Sequence, residues 1–238
     1  MISILKKILK VITPPILYPS VFNECINFFL REKDGITLEK NFYNRIAFIN
    51  KAIQNYDNKN CRYLEIGVAS NFVFNSIPLP MEKKIGVDPV SGGTHRMTSD
   101  KFFKKNKLKF DVVFIDGLHE YEQCQRDCVN AINHLKKNGI ILFHDFLPRN
   151  SFEERVPRKQ ASWTGDVWKV AVELSKSKNV EFRIANIDCG VGILKPKNKA
   201  QYIKIPELKK MTFENFIKKF YRSLPIIKSE EALKFIRN

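Results

Sequence analysis

Four short apolar runs, each closed by an acid or a glycine, set the pattern of the chain: "RYLEIG" from Arg62, "KKIGVD" from Lys83, "FDVVFID" from Phe110 and "GIILFHD" from Gly139. Runs of this length, rich in Val, Ile, Leu and Phe on consecutive positions, are those of parallel strands buried on both faces. Ahead of them Phe42, Ile46, Ile49, Ile53 and Tyr56 recur at spacings of four and three, which predicts an amphipathic helix over residues 38–57. Between the last two runs Tyr121, Cys124, Cys128, Ile132 and Leu135 share a helical face, with "KKNG" as its basic, glycine-terminated end. Strands alternating with helices predict a doubly wound α/β sheet, whose ligands sit outside the carboxyl ends of the strands.

Downstream, "VEFRIANIDCGVGILKP" reads as two strands joined by a turn at Asp188-Cys189-Gly190, so the mostly parallel sheet ends in one antiparallel strand. The tail from about residue 200 shows no strand pattern but holds two short helices, one with Phe213, Phe216, Ile217 and Phe220 on a face, the other from Ser229. At the opposite end Ile2, Leu5, Leu9 and Ile12 share a helical face against Lys6, Lys7 and Lys10. Those lysines and Pro14-Pro15 rule out a signal peptide or a membrane span. The face suits a helix capping its own domain, with an anionic membrane surface or a partner's groove as the sharper alternative. The chain thus divides into an N-terminal helical extension (residues 1–60), a core (61–198) and a C-terminal helical tail (199–238), without repeats or low-complexity linkers.

Composition adds a bias. Lys and Arg outnumber Asp and Glu by 41 to 25, a formal net charge of +16, which attracts phosphates, nucleic acid or an anionic membrane without choosing among them. The cysteines, Cys25, Cys61, Cys124, Cys128 and Cys189, are odd in number and form no CxxC pair, so neither a disulfide framework nor a zinc knuckle is indicated. A reducing cytoplasm fits, and Cys124 and Cys128 read as small core residues.

The strand ends carry the candidate chemistry. Gly67 after the first strand lets backbone approach a ligand, and Asp88 at the tip of the second can accept both hydroxyl protons of a ribose. The loop has one glycine where a dinucleotide fold shows G-x-G-x-x-G, and taken singly Glu65 and Asp88 are as readily a helix cap or a solvated strand end.

As an ordered set, "YLEIGV", "IGVDPV", "FDVVFIDGLHEYEQ" and "NGIILFHD" resemble the class I S-adenosylmethionine-dependent methyltransferases, from about Tyr63 to Pro196. They are most similar to small bacterial O-methyltransferases related to the metal-dependent macrolide-sugar and catechol enzymes. The resemblance implies a Rossmann-like seven-stranded sheet, mostly parallel with one antiparallel strand. Glu65 and Gly67 would hold the methionine part of the cofactor and Asp88 its ribose. Ser99, in "MTSDKFF" after a third strand, would lie near the adenine. The loop Val68-Ala69-Ser70-Asn71 departs from the family in lacking the second and third glycines.

Methyl transfer to an alcohol requires that the hydroxyl lose its proton while oxygen and methyl carbon are held in line. The resemblance implies Asp116 as a metal ligand beside the cofactor and His119, three residues on, as the base. Asp145 matches a second metal ligand, with His144 next to it. Phe146 stands where the catechol enzymes carry an amide ligand. Magnesium or manganese suits the oxygen ligands, and His144 tilts the site toward a softer metal; metal-free deprotonation by His119 is the alternative. His134 reads as packing.

The stretch "FLPRNSFEERVPRKQASWTGDVWK" is too long for a simple connection and carries Arg149, Arg155, Arg158, Lys159, Trp163 and Trp168, as a lid or binding surface does. Asp166 is placed to cap a helix from Val167, and Trp168 reads equally as core or as substrate platform. The expectation is an O-methyltransferase acting on a sugar hydroxyl of a polysaccharide, lipid-linked glycan or nucleotide-sugar, with an anionic acceptor, in the cytoplasm or at the inner face of the membrane. A nucleic-acid methyltransferase is the runner-up, and a catalytically idle cofactor-fold binding protein the third reading.

Overall fold

The computed structural model describes residues 36–57 and 60–237; the amphipathic pattern at Ile2 to Ile12, and Cys25, lie outside the described residues. The chain runs α1 (Arg45–Ile53), β1 (Tyr63–Ile66), α2 (Phe72–Asn75), β2 (Lys84–Val87), α3 (Ser99–Lys105), β3 (Phe110–Ile115), α4 (Tyr121–Asn133), β4 (Leu135–Phe143), α5 (Trp168–Lys176), β5 (Lys178–Ala185), β6 (Val191–Gln201), α6 (Phe213–Lys219), β7 (Ile226–Ile227) and α7 (Ser229–Arg237). Seven strands lie in the order β2-β1-β3-β4-β6-β5-β7. β6 is antiparallel to both its neighbours and every other pairing is parallel, as the hairpin and the resemblance lead one to expect.

Successive strand residues face opposite layers. Leu64, Ile66, Val113, Ile115, Ile141 and Phe143 pack with α3, α4, α5 and α6 through Phe102, Cys128, Val170 and Phe216. Tyr63, Val112, Phe114, Ile140 and Leu142 pack on the other side with α1, α2 and α7 through Phe48, Ile49, Phe74 and Ile236. Both faces are therefore covered, which is why the runs are apolar without alternation. Cys124 and Cys128 are buried core residues, as read, and Trp168 is wholly buried against Phe216 at 4.2 Å between ring centroids, which settles it as core. His134 likewise packs, its ring against Phe103 and its Nδ1 2.8 Å from the Asn130 carbonyl.

Several local expectations are corrected. The first helix starts at Arg45, because Asn44 caps it there, and Phe42 is left fully exposed ahead of it. α4 stops at Asn133, so Leu135 and "KKNG" open β4; Asn138 takes a positive φ of 62° in an irregular register between β3 and β4. No third strand precedes Ser99 among the described residues: the Gly92-Gly93 loop gives only a bridge between Val87 and His95. The seventh strand comes instead from the tail, where Ile226 and Ile227 pair with Ile184 and Ala185. Two residues after Pro225 are too few to register as a strand pattern.

Candidate active site

The tips of β1, β3 and β4 and the β5–β6 turn converge at one end of the sheet. Gly67, at φ +84°, allows the first two to meet, since a Cβ there would lie 2.1 Å from the Asp116 carbonyl oxygen. Asp116 N then donates to Ile66 O and His144 N to Ile115 O, which fixes both tips side by side. Phe146 N and Leu147 N donate to Gly190 O and Cys189 O, drawing the hairpin turn alongside and with it Asp188.

The result is a buried imidazole among three carboxylates. His144 Nδ1 lies 2.9 Å from Asp145 Oδ1 and 3.3 Å from Asp116 Oδ1, and its Nε2 is 3.4 Å from Asp188 Oδ1. Neither ring nitrogen meets hydrogen-bond geometry with a carboxylate, so the contacts are those of close charges. Burial lowers the His144 pKa, but the charges of Asp145 and Asp116 outweigh it and hold it well above the usual value.

His119 closes the cluster. Its Nδ1 is 2.9 Å from Asp145 Oδ2 and its Nε2 3.5 Å from Asp116 Oδ1, while its ring stacks on Trp163 at 5.0 Å. Burial depresses the pKa of this ring; hydrogen bonds and charge from Asp116 and Asp145 reverse that and bring it to about 9. The stretch "TGDVWK" holds it in place: a Cβ on Gly165 would fall 1.6 Å from His119 O, so only glycine permits the approach. Asp166 caps α4 rather than its own helix, its Oδ1 accepting from Tyr121 N at 2.7 Å. That cap depends on a fold-level contact which sequence spacing does not encode.

Beside the cluster lies an open cavity of about 390 Å³, walled by Glu65, the loop Gly67–Ser70, Phe72, Val73, residues 44–46, and by Asp116, His119 and Asp188. Glu65 accepts from the Tyr63 hydroxyl at 2.7 Å, and burial pushes its carboxyl up to about 8. Among the expected site residues, Glu65, Gly67, Asp116 and His119 share this cavity, and His144 and Asp145 sit directly behind. Asp88 and Ser99 do not line it. Asp88 Oδ2 accepts from Val68 N and Ala69 N and its Oδ1 from Val90 N and Ser91 N, all within 2.7–3.1 Å. Four backbone donors fill the acceptor capacity of a carboxylate, so the acid ties the two loops together here. Ser99 is buried at the start of α3, its hydroxyl accepting from Gln123.

Two residues escaped the sequence reading. Asp188 reads in the sequence only as part of a turn, although a hairpin turn after β5 falls at the ligand end of the sheet. Arg45 gave no signal at all. It donates through N, Nε and Nη2 to Asp188 and through Nη1 to Asp116, each at 2.8–3.0 Å, and so joins α1 to the cluster.

Residues 84–146, from β2 to just past the tip of β4, match the family model of a methyltransferase domain. Over those residues the chain is similar to a methyltransferase. The resemblance drawn from the strand-end motifs is thereby borne out, and Asp88, Asp116, His119, His144 and Asp145 all fall within the matched span. None of the curated proteins matches the chain. Solved structures with a similar course include a putative O-methyltransferase from Klebsiella pneumoniae, 12% identical with a TM-score of 0.49, over 82% of this chain and 96% of that one. An O-methyltransferase from Bacillus cereus in complex with SAH is 11% identical, TM-score 0.47, over 82% and 97%. The MycE methyltransferase of mycinamycin biosynthesis, with Mg, SAH and mycinamycin VI, is 16% identical, TM-score 0.41, over 63% and 49%.

The cluster also passes a test of fit for a divalent cation. Asp116, His144 and Asp145 each offer a ligand atom within 4.8 Å of the others. The unpartnered, buried nitrogens of His144 are what such a donor set leaves open.

Proposed function

We propose that the chain transfers a methyl group from S-adenosylmethionine to a hydroxyl of a sugar that carries negative charge. The observation carrying this reading is that one cavity joins the Glu65–Ser70 side, where the family resemblance would put a cofactor's amino-acid part, to His119 and Asp116. The cofactor supplies an electrophilic methyl on sulfonium, which departs as a thioether. Glu65, buried and pushed up to about 8, becomes a carboxylate when an ammonium group enters beside it. His119 faces the cavity where an acceptor oxygen would stand, and Trp163 and Asp145 fix its ring plane for proton removal. Asp116, Asp145 and His144 are the residues that would hold a divalent cation; one bound there supplies charge compensation, letting His119 titrate nearer neutrality, and a lower hydroxyl pKa in the acceptor.

The acceptor class rests on the loop between β4 and α5. Trp163 offers an aromatic face next to His119, and Arg155 and Lys159 of the same loop are exposed. An aromatic face beside cationic groups suits a sugar ring bearing phosphate or carboxylate. Arg149 and Arg158 are occupied within the loop, on Glu153 and on backbone carbonyls respectively. Incubation with methyl-labelled cofactor and a panel of sugar nucleotides and acidic glycans tests the reading. Label in a base-stable methyl ether is expected; label appearing only in added RNA would replace this acceptor with a nucleic acid.

A further inference from the structure

We infer that the edge of the sheet opposite the cavity is a docking surface for an anionic membrane. The parallel strands enter along this edge. Arg62 stands before β1, Lys107 and Lys109 before β3, Lys137 near the start of β4, Lys178 at the start of β5 and Lys199 near the end of β6. All six are exposed. No ion pair joins any of them to a carboxylate among the described residues, whereas their neighbours Lys136 and Lys197 are matched to Asp111 and Glu181. The helix dipole accounts for Lys104, Lys105 and Lys176, which close α3 and α5. It does not account for these six, which lie outside the helices. From β1 to β5 the edge crosses four strand spacings, about 19 Å, so the charges spread over a front instead of forming one pocket.

Lipid fits this front better than nucleic acid. Five of the six are lysines, compact hydrated charges without the planar fork that arginine sets against single phosphates. Leu108, 41% exposed between two of the lysines, and Met81, 57% exposed in the turn entering β2, add apolar tips at the same edge. The large exposed aromatics among the described residues, Phe42, Tyr43 and Phe72, belong to segments flanking the cavity at the other end, whereas Tyr56 at this edge is half-buried with its hydroxyl on Asn138 O, so no large exposed aromatic offers bases a platform here. Basic groups around a few apolar side chains are what a peripheral membrane face combines. Docked this way, the protein turns its cavity away from the lipid, and the acceptor arrives from the aqueous side.

Sedimentation of the full chain with vesicles tests this independently of any catalytic activity. Binding to phosphatidylcholine vesicles containing phosphatidylglycerol is expected, with weakening as salt is raised, and no binding to phosphatidylcholine alone. Lys107→Glu, Lys137→Glu and Lys178→Glu together should lower partitioning at least about a hundredfold, since each lysine at such a surface is worth about 1 kcal/mol, or roughly fivefold. Lys40→Glu, Lys210→Glu and Lys228→Glu together change net charge equally and should retain most of the binding. Thermal unfolding of each triple variant confirms that it is folded. Equal losses in the two triple variants would reduce the effect to net charge and overturn the proposal. Unimpaired binding by the first variant, or tighter binding of nuclease-treated protein to RNA than to the vesicles, would overturn it as well.

Discussion

The two edges of one sheet carry opposite chemistry. Where the strands leave the sheet stand Glu65, Asp88, Asp116, Asp145 and Asp188, drawn inward and met by the Tyr63 hydroxyl, backbone amides, imidazoles and Arg45. Where they enter stand six exposed basic residues without a carboxylate partner among the described residues, beside the paired acids Asp111 and Glu181. A net charge of +16 says nothing of this division. Buried acids require partners, because an ionised carboxylate without them is costly in a low-dielectric interior; exposed lysines require none. The first edge is therefore fixed in geometry and sensitive to single substitutions, while the second acts through its summed field and tolerates them individually.

Substitutions at the two edges should separate accordingly, and the largest effect is expected at His119. His119→Ala should lower turnover by about 10²–10⁴ while cofactor affinity changes little, the usual span for a positioned base. Near-normal turnover would move proton removal elsewhere in the cluster. Next comes Asp188, which faces His144 and is held by Arg45. Asp188→Asn should weaken manganese binding, followed by calorimetry, by about 10–100-fold, as groups that orient a ligand do. Unchanged affinity would limit Asp188 to anchoring α1.

A smaller effect, of a different kind, is expected at Asp88. Asp88→Ala removes the acceptor for four backbone N–H groups, so it should cost about 1–3 kcal/mol in unfolding free energy and weaken cofactor binding only through the loosened Gly67–Ser70 loop. A loss of cofactor affinity with unchanged stability would mean that the carboxylate is free for the ribose; a loss of stability alone would make it a purely structural tie. The smallest is a pH effect at Glu65. Its folded pKa, about 8, exceeds the unfolded carboxylate value, so the folded state binds the extra proton and stability falls as pH rises from about 4.5 through 8. Glu65→Gln should flatten that fall. The variant's stability relative to the wild type should be higher at pH 8 than at pH 5; a pH-independent difference would contradict the shifted pKa.

The edge that carries the cluster was also the more legible one. Buried strands announce themselves as apolar runs, and ligands gather where parallel strands end, so Asp116, His119, His144 and Asp145 could be placed from "FDVVFIDGLH" and "GIILFHD" alone. Arg45 and Asp188 could not, because they reach the cluster through the packing of α1 and the hairpin turn, which no local period records. The helix end at "KKNG" was misplaced because a basic, glycine-terminated stretch also opens a strand when the chain kinks at Asn138. The third strand was expected from the family pattern, yet Gly92 and Gly93 fold that segment against Gly86 and the first loop. Asp88 shows the same limit: its position was correct, but its four amide partners are visible only in the folded loops.

Equilibrium dialysis of methyl-labelled S-adenosylmethionine against the wild-type chain tests the central claim, that the acidic edge is a cofactor and transfer site, most directly. Saturable binding of one equivalent, displaced by S-adenosylhomocysteine and lost in Glu65→Ala while Lys107→Glu leaves it intact, is the predicted result. No saturable binding by folded wild-type protein would contradict it, and would leave the loops tied by Asp88 as a closed remnant of a cofactor site.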